Sequence, residues 1–127
     1  MMAGTTPLRT RMLGISWLNM VIGAVVFITP FVTTTRTPEL WSGVLIGLLI
    51  VGLEVFDVWA ETHQRAREAR GPEFVNALAG AWLVLYPLFA GSATAYLAVN
   101  VGAGLVLIVA ALYNAALAGR APMPRPT

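Results

Sequence analysis

Glu54 is the one acid well inside an apolar run, and it leads the only stretch with much chemical reach: Glu54, Asp57, Glu61 and His63. Spacings of three and four put Gly43, Gly47, Ile50, Glu54, Asp57 and Glu61 on one stripe of a helix. A carboxylate inside a membrane carries protons or cations, meets a basic partner, or ties helices together by hydrogen bonds. The last reading leads. The stretch could hold a cation in principle, but three of its four members are expected to face headgroups or water, so no metal site is assigned. Asn19 and Asn76 lie near the starts of their apolar runs, and Asn114 near the end of its own. Antiparallel hairpins would bring Asn19, Glu54, Asp57, Asn76 and Asn114 to one level as a buried polar cluster. No catalytic residue and no cofactor is expected. Ser16 and Ser42 have no base nearby, His63 reads as a solvated side chain, and the absence of cysteine excludes thiol chemistry.

Such a cluster needs long apolar helices to hold it, and the composition supplies them. The 127 residues are 57% hydrophobic and 11% charged, with a mean hydropathy of +0.75. A soluble domain of this size could not bury so much apolar surface. Four spans are read at roughly 13–32, 40–59, 74–89 and 96–118, the third of them short against the ~20 residues a crossing needs. The links 33–39 and 90–95 are short and rich in Thr, Ser, Gly and Pro, as tight hairpin turns require. Residues 1–12 resemble the start of a signal peptide. No small-residue cleavage site follows them, so they read as a segment ahead of the first helix. In the connector, residues 61–72, Glu61 and Arg65 stand four apart and should carry the second helix on to about Arg70. There Gly71 would stop it and Pro72 open the next. The tail 119–127 holds three prolines and reads as disordered.

All eight basic residues are arginine, too few and too scattered for a nucleic-acid face. Seven lie in the N-terminal segment, the connector and the tail, and only Arg36 lies in a hairpin tip. The excess of positive charge places both termini and the connector in the cytoplasm.

The chain also repeats itself. Residues 17–60 map without a gap onto 74–117 at an offset of 57, with nine identities that include Asn19/Asn76, Gly23/Gly80, Pro30/Pro87 and Gly47/Gly104. Phe56-Asp57 falls on Tyr113-Asn114, the same shapes with one charge removed. The expected fold is therefore all-α: an integral membrane protein whose four transmembrane helices form two tandem hairpins, 13–60 and 73–118. Two spans per unit insert both copies the same way round, related by an axis along the membrane normal.

The chain resembles the SPW-repeat membrane proteins, in which a two-helix unit carries Ser-Pro-Trp at the end of its first helix. The matching positions here read Thr29-Pro30-Phe31 and Tyr86-Pro87-Leu88, of which only the proline is strict. Trp17-Leu18-Asn19, Gly23-Ala24 and the tandem layout add to the likeness, which covers about 13–118. The resemblance implies a prokaryotic membrane module and implies no reaction. Physics accounts for the motif structurally. Proline leaves the carbonyls of Val26 and Leu83 without helical partners, and the Thr29 hydroxyl can serve freed backbone groups. Phe31, Trp41, Tyr86, Phe89 and Tyr96 are expected at the outer headgroup level, and Trp17, Trp59 and Phe74 at the inner one.

The leading functional expectation is a non-catalytic module of the prokaryotic cell membrane. It would be an accessory or structural subunit that packs against itself as a homo-oligomer, or against other integral membrane proteins. The alternative is a small oligomeric transporter or channel using Glu54 and Asp57. Ala111 stands where the first copy has Glu54, which disfavours a symmetric pathway.

Overall fold

The computed structural model describes residues 6–63 and 65–120. Four helices follow in order: α1 Thr6–Thr33, α2 Thr37–Thr62, α3 Arg70–Ala90 and α4 Thr94–Arg120, with a 3₁₀ turn at Ala66–Ala69 ahead of α3. No strand occurs among the described residues. By length and composition, Thr10–Thr33, Thr37–Thr62, Arg67–Ala90 and Thr94–Arg120 can each cross a membrane. The third span is therefore longer than the sequence suggests, because Gly71, Pro72 and Glu73 belong to the first turn of α3. Proline is tolerated there, since the first-turn N–H groups have no helical acceptor in any case.

The connector departs from expectation. α2 stops at Thr62 instead of running on to Arg70. The Arg65 N–H reaches back to the carbonyl of Ala60 at 2.7 Å, a wider loop than the α-helical one, and this closes the helix. The expected Glu61–Arg65 pair does not form: Arg65 pairs with Glu68, and Glu61 turns inward. At the chain ends, α1 already begins at Thr6 and α4 includes Gly119 and Arg120. The rest of the proposed tail, 121–127, lies outside the described residues.

Helix pairing is most extensive within α1–α2 and α3–α4, then between α1 and α4, and slight between α2 and α3. Glycine sets the close approaches. A Cβ added at Gly47 would stand 2.9 Å from the Gly23 carbonyl oxygen, and one at Gly104 would stand 2.5 Å from that of Gly80. Both lie inside van der Waals contact, so these helices approach backbone to backbone, as small residues permit in membranes. Gly43 likewise leaves room for the Pro30 ring. Beyond α3, Gly91 adopts a left-handed φ of 63°, and the Ser92 N–H closes on the Pro87 carbonyl at 3.0 Å.

The side chains are arranged inside out relative to a soluble domain. Val32, Leu78, Phe89 and Val109 are among many large apolar residues on the outer surface, while eleven polar or charged residues are buried among the described ones. One apolar cluster lies mid-bundle, with Ile22 and Val26 from α1, Ile50 from α2, Ala79 and Leu83 from α3, and Leu107 from α4. A second, of Met12, Ala69, Leu117 and Ala118, closes the connector end. The polar layer described next joins residues of all four helices.

Candidate functional site: a buried carboxyl and amide layer

The 3- and 4-residue spacing on α2 turns Glu54, Asp57 and Glu61 toward the other helices, and all three are buried. Asn19 Nδ2 donates to Glu54 Oε1 at 3.0 Å, and Asn76 Nδ2 donates to the same oxygen, so α1, α2 and α3 meet on one atom. Two turns along α2, Glu61 accepts from Ser16 Oγ at 3.0 and 3.2 Å and from Asn114 Nδ2 at 3.5 Å. Asn114 Nδ2 also reaches Ser16 Oγ at 3.3 Å, which joins α4 to the layer. Asp57 lies between Glu54 and Glu61 on the stripe, fully buried, with neither carboxyl oxygen hydrogen-bonded.

All five residues of the expected cluster, Asn19, Glu54, Asp57, Asn76 and Asn114, are thus fully buried. Three expectations need correction. First, Glu54 is not the one acid well inside. Glu73 on α3 is equally buried, and Glu54, Asp57 and Glu73 each offer a carboxyl oxygen within 4.8 Å of the others. Second, of Glu54, Asp57, Glu61 and His63, only His63 is exposed, because the stripe faces the bundle along its whole length. Third, Ser16 does have a carboxylate beside it, Glu61. Glu73 escapes the sequence reading because the third apolar span is read from residue 74, which leaves Glu73 between Pro72 and that span. The offset of 57 could have found it, since it sets Glu73 on Ser16 within the first span.

Among the described residues, no arginine bonds to the carboxyl oxygens of Asp57 and Glu73 or to Glu54 Oε2. Arg65 pairs with Glu68, Arg67 Nη1 donates to the Gly119 carbonyl at 2.9 Å, and the Arg70 guanidinium lies 5.8 Å from the centre of the Phe74 ring. Buried acceptors are left over: one oxygen of Glu54, both of Asp57, both of Glu73, and the amide oxygens of Asn19, Asn76 and Asn114.

A separate network ties the hairpin tips. Glu39, fully buried at the start of α2, accepts from Thr34, Ser92 and Arg36, the last at 3.1 Å, and Arg36 also reaches the Ala90 carbonyl at 3.2 Å. Tyr96 belongs to this network, not to an outer aromatic belt: it is 1% exposed and its hydroxyl donates to the Glu39 carbonyl. Phe31, Trp41 and Phe89 are exposed, as are Trp17, Trp59 and Phe74 nearer the other end.

At the two motif positions the prolines, Pro30 and Pro87, are buried, while Phe31 and Leu88 face outward. The Thr29 hydroxyl bonds to the Val25 carbonyl at 2.6 Å, one residue earlier than the carbonyl that Pro30 leaves free. Tyr86 has no such backbone bond and stacks on Trp82, whose indole N–H donates to Ser42 Oγ at 2.9 Å.

No protein of curated function and no solved structure matches the chain. The SPW repeat domain matches residues 13–114, from the first span through the whole buried layer to Asn114 on α4. With four helices able to cross a membrane and most of its length matched, the chain is a multi-pass membrane protein belonging to the SPW repeat domain family.

Proposed function

We propose that this protein is a non-catalytic module of the cell membrane, an accessory or structural subunit that packs against itself or a larger membrane complex. The observation that carries this reading is the division of labour between inside and outside. Glu54 with Asn19 and Asn76, and Glu61 with Ser16 and Asn114, form two hydrogen-bonded groups that between them draw on all four helices, while the outer surface offers apolar side chains alone over long stretches. A unit knit together in this way is self-supporting and leaves its apolar surface for lipid or other helices. No reaction is assigned to it. The two halves, 13–60 and 73–118, are read as tandem copies. In support, α1 and α3 end at Thr33 and Ala90, and α2 and α4 start at Thr37 and Thr94, both pairs 57 apart. The Gly23–Gly47 and Gly80–Gly104 approaches keep the same register.

Extraction in mild detergent, mass measurement of the eluted complex and mass spectrometry of what co-migrates test the proposal. More than one copy, or a stoichiometric membrane partner, is expected. A single chain without partner, both in detergent and in lipid nanodiscs, would overturn it. The second reading, an oligomeric transporter or channel, is favoured by the three gathered carboxyls of Glu54, Asp57 and Glu73.

A further inference from the structure

We propose that Glu54, Asp57 and Glu73, with the amide oxygens of Asn19 and Asn76, form an intramembrane binding site for a hard divalent cation of the calcium class. This goes beyond the packing role proposed above and does not depend on it. Three carboxyl oxygens from two helices lie within 4.8 Å of one another, and none of the three residues is exposed. Oxygens around a calcium-sized ion sit about 2.3–2.6 Å from it, so opposite ligands stand about 5 Å apart. The spacing therefore suits one shared ion.

The independent observation is the surplus of acceptors. The four carboxyl oxygens of Asp57 and Glu73, and one of Glu54, receive no donor from outside the three carboxyls, which lie within reach of one another. The amides of Asn19 and Asn76 touch Glu54 through their nitrogens, while their own oxygens are buried and unpartnered. A half-turn of either amide exchanges its nitrogen for its oxygen at that place. Every orphan in this layer is an acceptor, and among the described residues no guanidinium bonds to these orphan oxygens to balance their charge. A buried carboxylate without a counter-charge is strongly disfavoured, and a cation supplies both the charge and the missing bonds. The donor set is oxygen alone, which selects hard ions over thiolate- and imidazole-seeking ones. Magnesium is the poorer fit, because it demands a tight octahedron at about 2.0–2.1 Å and gives up its waters reluctantly. The layer is closed toward the connector by Met12, Ala69, Leu117 and Ala118, so an ion held here is occluded.

The test uses the full chain in detergent, stripped with chelator and titrated with Mn²⁺ while the free-ion signal is followed by electron paramagnetic resonance. Wild type should take up one ion per chain and release it to excess Ca²⁺, and its melting temperature should rise with either ion. Glu54→Gln, Asp57→Asn and Glu73→Gln should each weaken uptake by at least about tenfold, the loss seen when even an outer partner of a metal is removed. Glu68→Gln, at an exposed acid, should bind as wild type does. Failure of the wild type itself to take up Mn²⁺ or Ca²⁺, at neutral and at alkaline pH, overturns the proposal and leaves protons to neutralise the layer. Undiminished uptake by a folded triple variant overturns it equally.

Discussion

Glu54 concentrates what a single residue contributes here. Its Oε1 receives amide protons from α1 and α3, so it joins three helices at one atom. The charge and the hydrogen-bonding role can be separated by substitution. In chelator, Glu54→Gln keeps an acceptor for Asn19 and Asn76 and removes a buried charge, so its melting temperature should equal or exceed that of wild type. Glu54→Leu strands both amide donors and should cost ~1–3 kcal/mol, a drop visible in the same thermal scan. Equal melting for wild type, Gln and Leu would show that these bonds contribute nothing. Ser16→Ala leaves Glu61 with only the long 3.5 Å contact from Asn114. It should lower stability by ~1 kcal/mol in that assay, near the average for hydrogen bonds between membrane helices. The asymmetry of the layer is also set residue by residue. The offset of 57 pairs Ser16 with Glu73 and Asp57 with Asn114, so each half has one acid where the other half has a neutral group.

Among the helices, the decisive feature is where glycine faces a neighbour and where it does not. On α4, an added Cβ at Gly104 would come within 2.5 Å of the Gly80 carbonyl oxygen, whereas one at Gly102 meets nothing within 4 Å. Gly104→Ala must push α3 and α4 apart and should destabilise by ~1–3 kcal/mol, the usual penalty for overpacking. Gly102→Ala only restricts the unfolded chain and should be neutral or stabilise by up to ~1 kcal/mol. Thermal melts of the two variants check this; equal losses would mean that the α3–α4 approach is not close. The pairing behind the contrast was legible in the sequence, because Gly47 and Gly104 share a register and Gly43 and Gly47 stand on one stripe of α2. The polar stripe was legible for the same reason, since a 3–4 spacing survives any error in helix ends. What could not be read were the ends themselves. The fate of Glu73 turned on whether the first turn that Pro72 opens lies against the other helices or outside them, which local composition does not decide. The early close of α2 at Thr62 goes with the Ala60 carbonyl accepting from Arg65, a contact with no composition signature. Tyr96 looked like a belt residue until its partner, the Glu39 backbone, came from another helix.

On the scale of the whole molecule, charge and packing together define two different ends. The hairpin tips meet at one end, where Arg36 and Glu39 join Thr34, Ala90 and Ser92. At the other, the connector meets the end of α4 through Arg67 and Gly119, and Ala69 packs with Met12, Leu117 and Ala118. Seven of the eight arginines belong to the segments of this second end, and the one at the tips is paired with Glu39. Positive charge resists translocation across the cell membrane, so the connector end is proposed to stay in the cytoplasm with both termini. A reporter fused after Thr127 should then score as cytoplasmic, and one inserted in the link 33–37 as external. The charge argument also says what would reverse the pair. Replacing Arg65, Arg67 and Arg70 with Gln removes three of the seven arginines, and adding three arginines to each tip raises the other side to seven. That double change should produce molecules of both orientations, while either change alone should not. Reporters that fall on one side in the wild type would refute the three crossings, an odd number, between the tip and the tail. Wild-type orientation unaltered in the doubly changed protein would mean that something other than arginine placement sets the topology.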